Sequence, residues 1–371
     1  MRFLVAGVVL IVLGIGVTEY QRRNPSEEKK EGSKAAKKVK NASTTPPTMQ
    51  ALVETAAVAP DAPAPTDAFD LASLLTSTGD AAQGFTPILR GAVKARELRG
   101  AGTGAVVVLE KGGVTALVSL PVSGAPTVLT VRSGQVSTVW FDAEAQRVVW
   151  GEGGMVKSMP LGGGEVKTHV SFTRALVTSV ASFKSKVVAS LVPKEGDPFA
   201  SDPNGAVAVI DDGDVKLIAV EQIRPREVVF DGKDEAFFVA GYPSGLTRAA
   251  LDGSFTARIA ERADGPIALE SDGITYRFPQ ASSPELKRGS RSGGAVKTVA
   301  RVDVEWLAVQ NGVARYTTTG IAPRLYEAKA GEDAQTELAA LKGVVKGLAW
   351  QGEKTWLLTA DEDGVTTLQV K

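Results

Sequence analysis

Cysteine is absent from the 371 residues and histidine occurs once, at His169. The first absence excludes disulfides, thiolate nucleophiles, iron–sulfur clusters, cysteine zinc sites and a lipidated N-terminal cysteine. The second excludes multi-histidine metal sites and a credible Ser/His/Asp triad. Net charge is also lacking, with 42 Lys+Arg against 42 Asp+Glu. That balance hides an uneven spread. Residues 21–40 hold Arg22, Arg23, Lys29, Lys30, Lys34, Lys37, Lys38 and Lys40 against Glu27, Glu28 and Glu31, a net of +5, so residues 41–371 carry −5. A mildly acidic body has no field for nucleic acid, which needs clustered positive charge. No metal, cofactor or catalytic constellation is legible. Gly-rich turns such as Gly162-Gly163-Gly164 run into strand patterns, not into a helix that would cradle phosphate.

One apolar run stands out. Phe3 to Val17 is unbroken by charge and follows only Met1 and Arg2. As a helix it spans roughly 22 Å, short of a ~30 Å hydrocarbon core. Residues 1–20 therefore read as a signal anchor, or as a signal peptide removed after export, with Phe3, Leu4, Leu10, Ile11 and Leu13 as the membrane-contacting residues. Arg22, Arg23, Lys29 and Lys30 after the run oppose export under the positive-inside rule, whereas the two-residue N-tail favours it. Export is the reading adopted: a single pass in the cell inner membrane with the body in the periplasm, or secretion after cleavage. The basic stretch is positioned to touch anionic head groups or to serve as a solvated spacer.

Residues 41–66 contain five Pro, seven Ala and five Thr with only Glu54 and Asp61 charged. Together 21–66 is expected to form a disordered, flexible tether, charged and then Pro/Ala/Thr-rich. Thr66-Asp67 ahead of Phe69, Leu71, Leu74 and Leu75 predicts a short amphipathic helix within 67–83, which packs on its own domain or docks a partner.

The body, 84–371, repeats. Phe230, Leu269, Val309 and Trp350, each ending a β-type run before a polar turn, lie 39, 40 and 41 residues apart. A second ladder, Gly164-Glu165-Val166-Lys167, Gly213-Asp214-Val215-Lys216, Gly253-Ser254-Phe255-Thr256 and Gly294-Ala295-Val296-Lys297, is spaced 49, 40 and 41. The long interval holds an insertion at Lys194 to Asn204. Each unit divides into four short strands separated by Gly/Asp turns, the blade of a β-propeller. Inner strands are expected to start near 95, 136, 175, 226, 265, 304 and 345. The fold class is all-β: a propeller of seven four-stranded antiparallel blades, with six as the alternative. The last unit lacks a fourth strand, and Phe85–Ala92 is the expected donor.

Val139-Trp140-Phe141-Asp142, Val148-Val149-Trp150-Gly151 and Lys157 to Gly163 resemble a blade of the YWTD or TolB-like propeller group over roughly 136–300. The resemblance implies the fold and an extracytoplasmic setting. The YWTD motif is absent, so no family site is carried over.

Trp140, Asp142, Asp231, Trp306 and Trp350 are the candidate channel or interaction residues, placed at inner-strand positions with Glu270 and Glu305. Packing between blades requires aromatic residues at the same places. His169 reads as an ordinary surface histidine. Lys287, Arg288 and Arg291 read as a solvated loop. Asp211 to Asp214 and Asp361 to Gly364 read as hairpin turns with a loose likeness to calcium loops. The function these features imply is a non-catalytic protein-interaction scaffold in a cell-envelope assembly, with other envelope or membrane proteins as partners. The alternative is a carbohydrate-active propeller that binds glycan or cleaves it with channel-mouth carboxylates.

Overall fold

The computed structural model describes residues 47–57, 69–76, 81–101, 104–195, 203–241, 243–280, 284–332 and 334–371. The apolar run 3–17, with Phe3, Leu4, Leu10, Ile11 and Leu13, and the basic stretch 21–40 lie outside them. No helix among the described residues is long and apolar enough to cross a membrane.

Among the described residues the strands form seven four-stranded antiparallel sheets. Their inner strands are Lys94–Ala101, Val136–Asp142, Ala175–Phe183, Arg226–Phe230, Asp264–Leu269, Val304–Gln310 and Val344–Gln351. These starts match the expected ones to within one residue, and the count is seven blades. Second strands read as nearly continuous apolar runs, as in Gly104–Lys111 and Lys186–Pro193, because both faces of each blade are covered by neighbours. Outer strands are wetter; Thr256–Ala260 is exposed along most of its length. Two-residue turns with both residues at positive φ close several hairpins, among them Asp212-Gly213 (48° and 93°) and Asn311-Gly312 (54° and 76°). Asp361 accepts the Val365 amide at 2.8 Å, so both acidic loops are hairpin chemistry.

The ring closes with the expected strand. Thr86–Gly91 pairs antiparallel with Thr366–Val370, Leu89 opposite Leu368, and completes the seventh blade. Leu89, Leu368, Trp356 and Leu98 then share one apolar core between blades 7 and 1.

The segment ahead of the donor strand departs from the helix expected over 67–83. It forms a single 3-10 turn, Ala72–Leu74, with the Asp70 carboxylate accepting the Ser73 amide at 3.1 Å. The chain then extends, and Leu75 bridges Leu89. Pairing along the clasp outweighs the weak helical preference of a short segment. Phe69, Leu71 and Leu74 are buried in the closing core, so the segment packs on its own domain. Gly91 lets the Leu74 side chain lie close, since a Cβ there would force its terminal methyl to shift.

The tether expected over 21–66 is ordered in part. Pro47–Leu52 is a short helix whose Met49 and Leu52 are buried against blades 2 and 3. Thr55 then bridges Phe172. Two well-spaced apolar side chains suffice to seat a short helix that would be unstable alone.

Candidate functional site

All seven inner strands carry a bulge close to their start. The residues skipped by the pairing register are Arg96, Ser137, Thr178, Glu227, Gly265-Pro266, Glu305 and Lys346. A bulge re-aims side chains, and here it sets a ring of mostly polar groups around one mouth of the central channel. Several of them, or the residue that follows, tie one blade to the next. The Val139 amide donates to Glu97 at 2.7 Å, the Val228 amide to Ser179 at 3.0 Å and the Ile267 amide to Glu227 at 2.9 Å. Ser137 and Thr178 donate instead, to Val177 O (2.8 Å) and Pro225 O (2.9 Å).

Glu97, Arg99 and Glu227 form the charged centre of this mouth. Glu97 also holds the Arg99 guanidinium at 2.6 Å. Blades 1 and 4 stand three places apart in a ring of seven, so Arg99 and Glu227 face one another across the channel. Burial pushes the Glu227 carboxyl up; Arg99 and the Ile267 amide pull it down, while Glu97 and Asp264 add to the rise. Burial opposes the Arg99 charge, and Glu97 and Glu227 together more than offset it. Glu305, two blades on from Glu227, is also raised, chiefly by burial, with Lys346 of blade 7 opposing. Around blades 4 to 6 the ion pairs Arg226–Asp264 (3.0 Å) and Arg277–Asp303 (2.7 Å) continue the charged rim.

The opposite rim is differently employed. Asp142 accepts from Ser182 at 2.8 Å and from the Ala145 amide at 3.0 Å. Asp231 caps its own turn through the Lys233 and Glu235 amides and pairs with Arg291 of blade 5. Glu270 accepts the Gly312 amide of blade 6 at 2.9 Å and pairs with Arg288. Lys287, Arg288 and Arg291, expected to be solvated, are therefore half-buried braces; Lys287 pairs with Glu285 at 3.0 Å. An open cleft of about 750 Å³ lies between blades 5 and 6 on this rim, bordered by Asp272, Arg288, Lys297 and Lys329.

The candidate residues are distributed rather than gathered. Trp140 donates to Ser182 O at 3.0 Å and Trp306 to Val345 O at 3.2 Å, each bonding to the next blade. Trp350 donates to Gly352 O at 2.8 Å, and the Arg315 guanidinium covers its ring at 3.9 Å. Asp142 and Asp231 lie on the turn rim of blades 2 and 4. Glu305, grouped with them in the sequence, is the second residue of its strand and so belongs to the other mouth. The bulge ring itself was missed. Its signal was present, since each member falls two to four residues into an inner strand and recurs at the blade period.

His169 corrects the surface reading. It is 7% exposed, with Nε2 2.8 Å from Ser158 Oγ. Burial, then the Arg147 and Lys167 charges, lower its pKa from 6.5 to about 4. The outer strand of blade 2 is covered by the Asp212-Gly213 turn of blade 3, which a linear sequence does not reveal. The folded protein thus resists a proton that the unfolded chain takes up. Stability is full above about pH 6.5 and falls as the pH drops toward 4, by about 3 kcal/mol in all. Denaturation at stepped pH should show this slope, and His169→Gln should remove about 1.4 kcal/mol per pH unit of it.

No protein family and no curated protein matches the sequence. Among solved structures, the acylaminoacyl peptidase of Pyrococcus horikoshii is similar with a TM-score of 0.54 and 12% identity, covering 72% of this chain and 49% of that one. The WD40 β-propeller domain of Doa1 is similar with a TM-score of 0.51 and 12% identity, covering 77% and 97%. What these structures share with the chain is the fold, a β-propeller. A TolB candidate from Agrobacterium tumefaciens also matches, with a TM-score of 0.43 and 13% identity over 56% of this chain and 80% of that one. This propeller spans about half the length of the prolyl endopeptidase and acylaminoacyl peptidase structures it matches.

Proposed function

We propose that this propeller is a non-catalytic interaction platform, tethered through its N-terminal apolar run in the cell inner membrane with the ring in the periplasm. The observation that carries this reading is the rim around the charged mouth. There Ile321 is 103% exposed and Val344 50% exposed, on adjacent blades. The Leu341 amide donates to Pro323 O at 3.0 Å, drawing the Ile321 loop toward the connection that leads to Val344. Large apolar side chains held in water beside a polar, charged rim are the pattern of a contact surface. On the other rim the carboxylates are committed to bracing, and the tryptophans considered for stacking sugar are bonded to backbone or covered by arginine. These placements favour the platform over carbohydrate chemistry.

The test is purification of tagged full-length protein from its native cells in mild detergent. Ile321→Asp/Val344→Asp should lose at least tenfold of any stoichiometric partner while its melting temperature stays within about 2 °C, as surface changes allow. An unchanged partner set, or none after crosslinking, overturns the reading.

A further inference from the structure

The same rim carries a second feature, a seat for a helical turn followed by a short extended stretch, which the chain occupies with its own residues 47–57. Helix Pro47–Leu52 lowers Met49 (5% exposed) and Leu52 (4% exposed) onto the core of blades 2 and 3. The residues that follow then pair with the connection between those blades. The Ala56 amide donates to Ser171 O at 2.9 Å, and the Thr173 amide donates to Glu54 O at 3.0 Å. The Glu54 carboxylate lies 3.5 Å from Arg174 Nε. Main-chain pairing gives affinity, two apolar anchors three residues apart on one helix face give register, and the exposed acid–arginine pair adds a small charge preference. This joins a helical turn laid in an apolar groove to a short strand addition.

The segment does not cover the whole seat. An open groove of about 210 Å³ runs beside the segment, its apolar side made by Met49, Ala51, Leu52 and Pro193 and its polar side by Arg174, Lys194, Glu195 and Asn204. Ala51 is the smallest of the side chains that the segment presents there. A larger apolar side chain at position 51 would bury more apolar surface in this groove than Ala51 does, so a ligand better than the chain's own segment is available.

We infer that this groove is a docking site for a partner-protein peptide that makes one helical turn and then extends, and that residues 47–57 are its displaceable intramolecular occupant. The fitting peptide has apolar anchors three apart, a bulky apolar residue where this chain has Ala51, and an acid two places after the second anchor. The covalent connection gives the internal segment an advantage of effective concentration, on the order of millimolar. A partner overcomes it by filling the groove. The inference extends the platform reading to a second site, and its test is independent of Ile321 and Val344.

The test uses the full chain and two labelled peptides read by fluorescence anisotropy: residues 45–58, and the same peptide with Ala51→Phe. Met49→Asp/Leu52→Asp in the protein charges both anchors and vacates the seat. Ala56→Pro, which removes the amide donor to Ser171, is the milder second variant. The vacated proteins should bind the 45–58 peptide about 100-fold more tightly than the unaltered chain does. The Ala51→Phe peptide should gain about tenfold more on every protein. Folded variants that bind neither peptide overturn the inference. So does a Phe peptide no better than the parent. A concentration-dependent dimer of the unaltered chain whose segment crosslinks between copies also overturns it, because the occupant would then be a second copy.

Discussion

Replacing Glu152 with Ala is expected to destabilise the ring by about 3–5 kcal/mol, a large share of the total for a domain. Glu152 ends the second strand of blade 2 and is 6% exposed, buried against blade 1. Its Oε2 receives Arg132 Nε at 3.1 Å, Lys157 Nζ at 3.2 Å and Trp150 Nε1 at 3.2 Å. Arg132 is 5% exposed and Lys157 2%. Removing the carboxylate leaves two buried cations close together without the charge that both approach. Repulsion and desolvation then act in the same direction. Chemical denaturation of wild type and Glu152→Ala measures the loss. The triple change Arg132→Met, Lys157→Met, Glu152→Met should recover most of it, since well-packed apolar groups commonly replace a buried ion cluster at little cost. A single-variant loss below about 1 kcal/mol would show that water reaches the cluster.

The second large effect is at the closure. Leu89→Ala should cost about 2–5 kcal/mol. Leu89 is fully buried (0% exposed), faces Leu368 across the clasp, and shares its core with Trp356 and Leu98. Truncation opens a cavity at the joint between the first and last strands, where chain connectivity gives no help. Leu368→Ala should cost a similar amount. The double variant should lose less than the sum of the two, because both changes empty one space. Denaturant midpoints for the four proteins decide this, and strict additivity would mean that the two side chains do not share a core.

The periodic parts of this protein were legible without coordinates. Each blade is built from neighbouring hairpins, so its apolar runs and its Gly/Asp turns repeat along the chain about every 40 residues. Seven inner-strand starts and the need for a donor strand within Phe85–Ala92, observed at Thr86–Gly91, followed from that local pattern. What joins one blade to another was less visible. Trp140 and Trp306 were expected at inner strands, but their bonds to Ser182 and Val345 depend on how adjacent blades face each other. The bulges that aim Glu97, Glu227 and Glu305 arise from register, which composition does not encode.

The sequence by itself determined the repeat, the fold class and the strand that closes the ring, and narrowed the blades to seven or six, since hydrophobic alternation and turn chemistry act over a few residues. The tertiary structure decided which polar residues are buried. It covered His169 with the turn of a neighbouring blade and enclosed Glu152 between Arg132 and Lys157. It also seated Met49 and Leu52 in a segment whose composition reads as a tether. Burial of each of these groups is set by residues from another part of the chain, and only the closed ring brings those residues together.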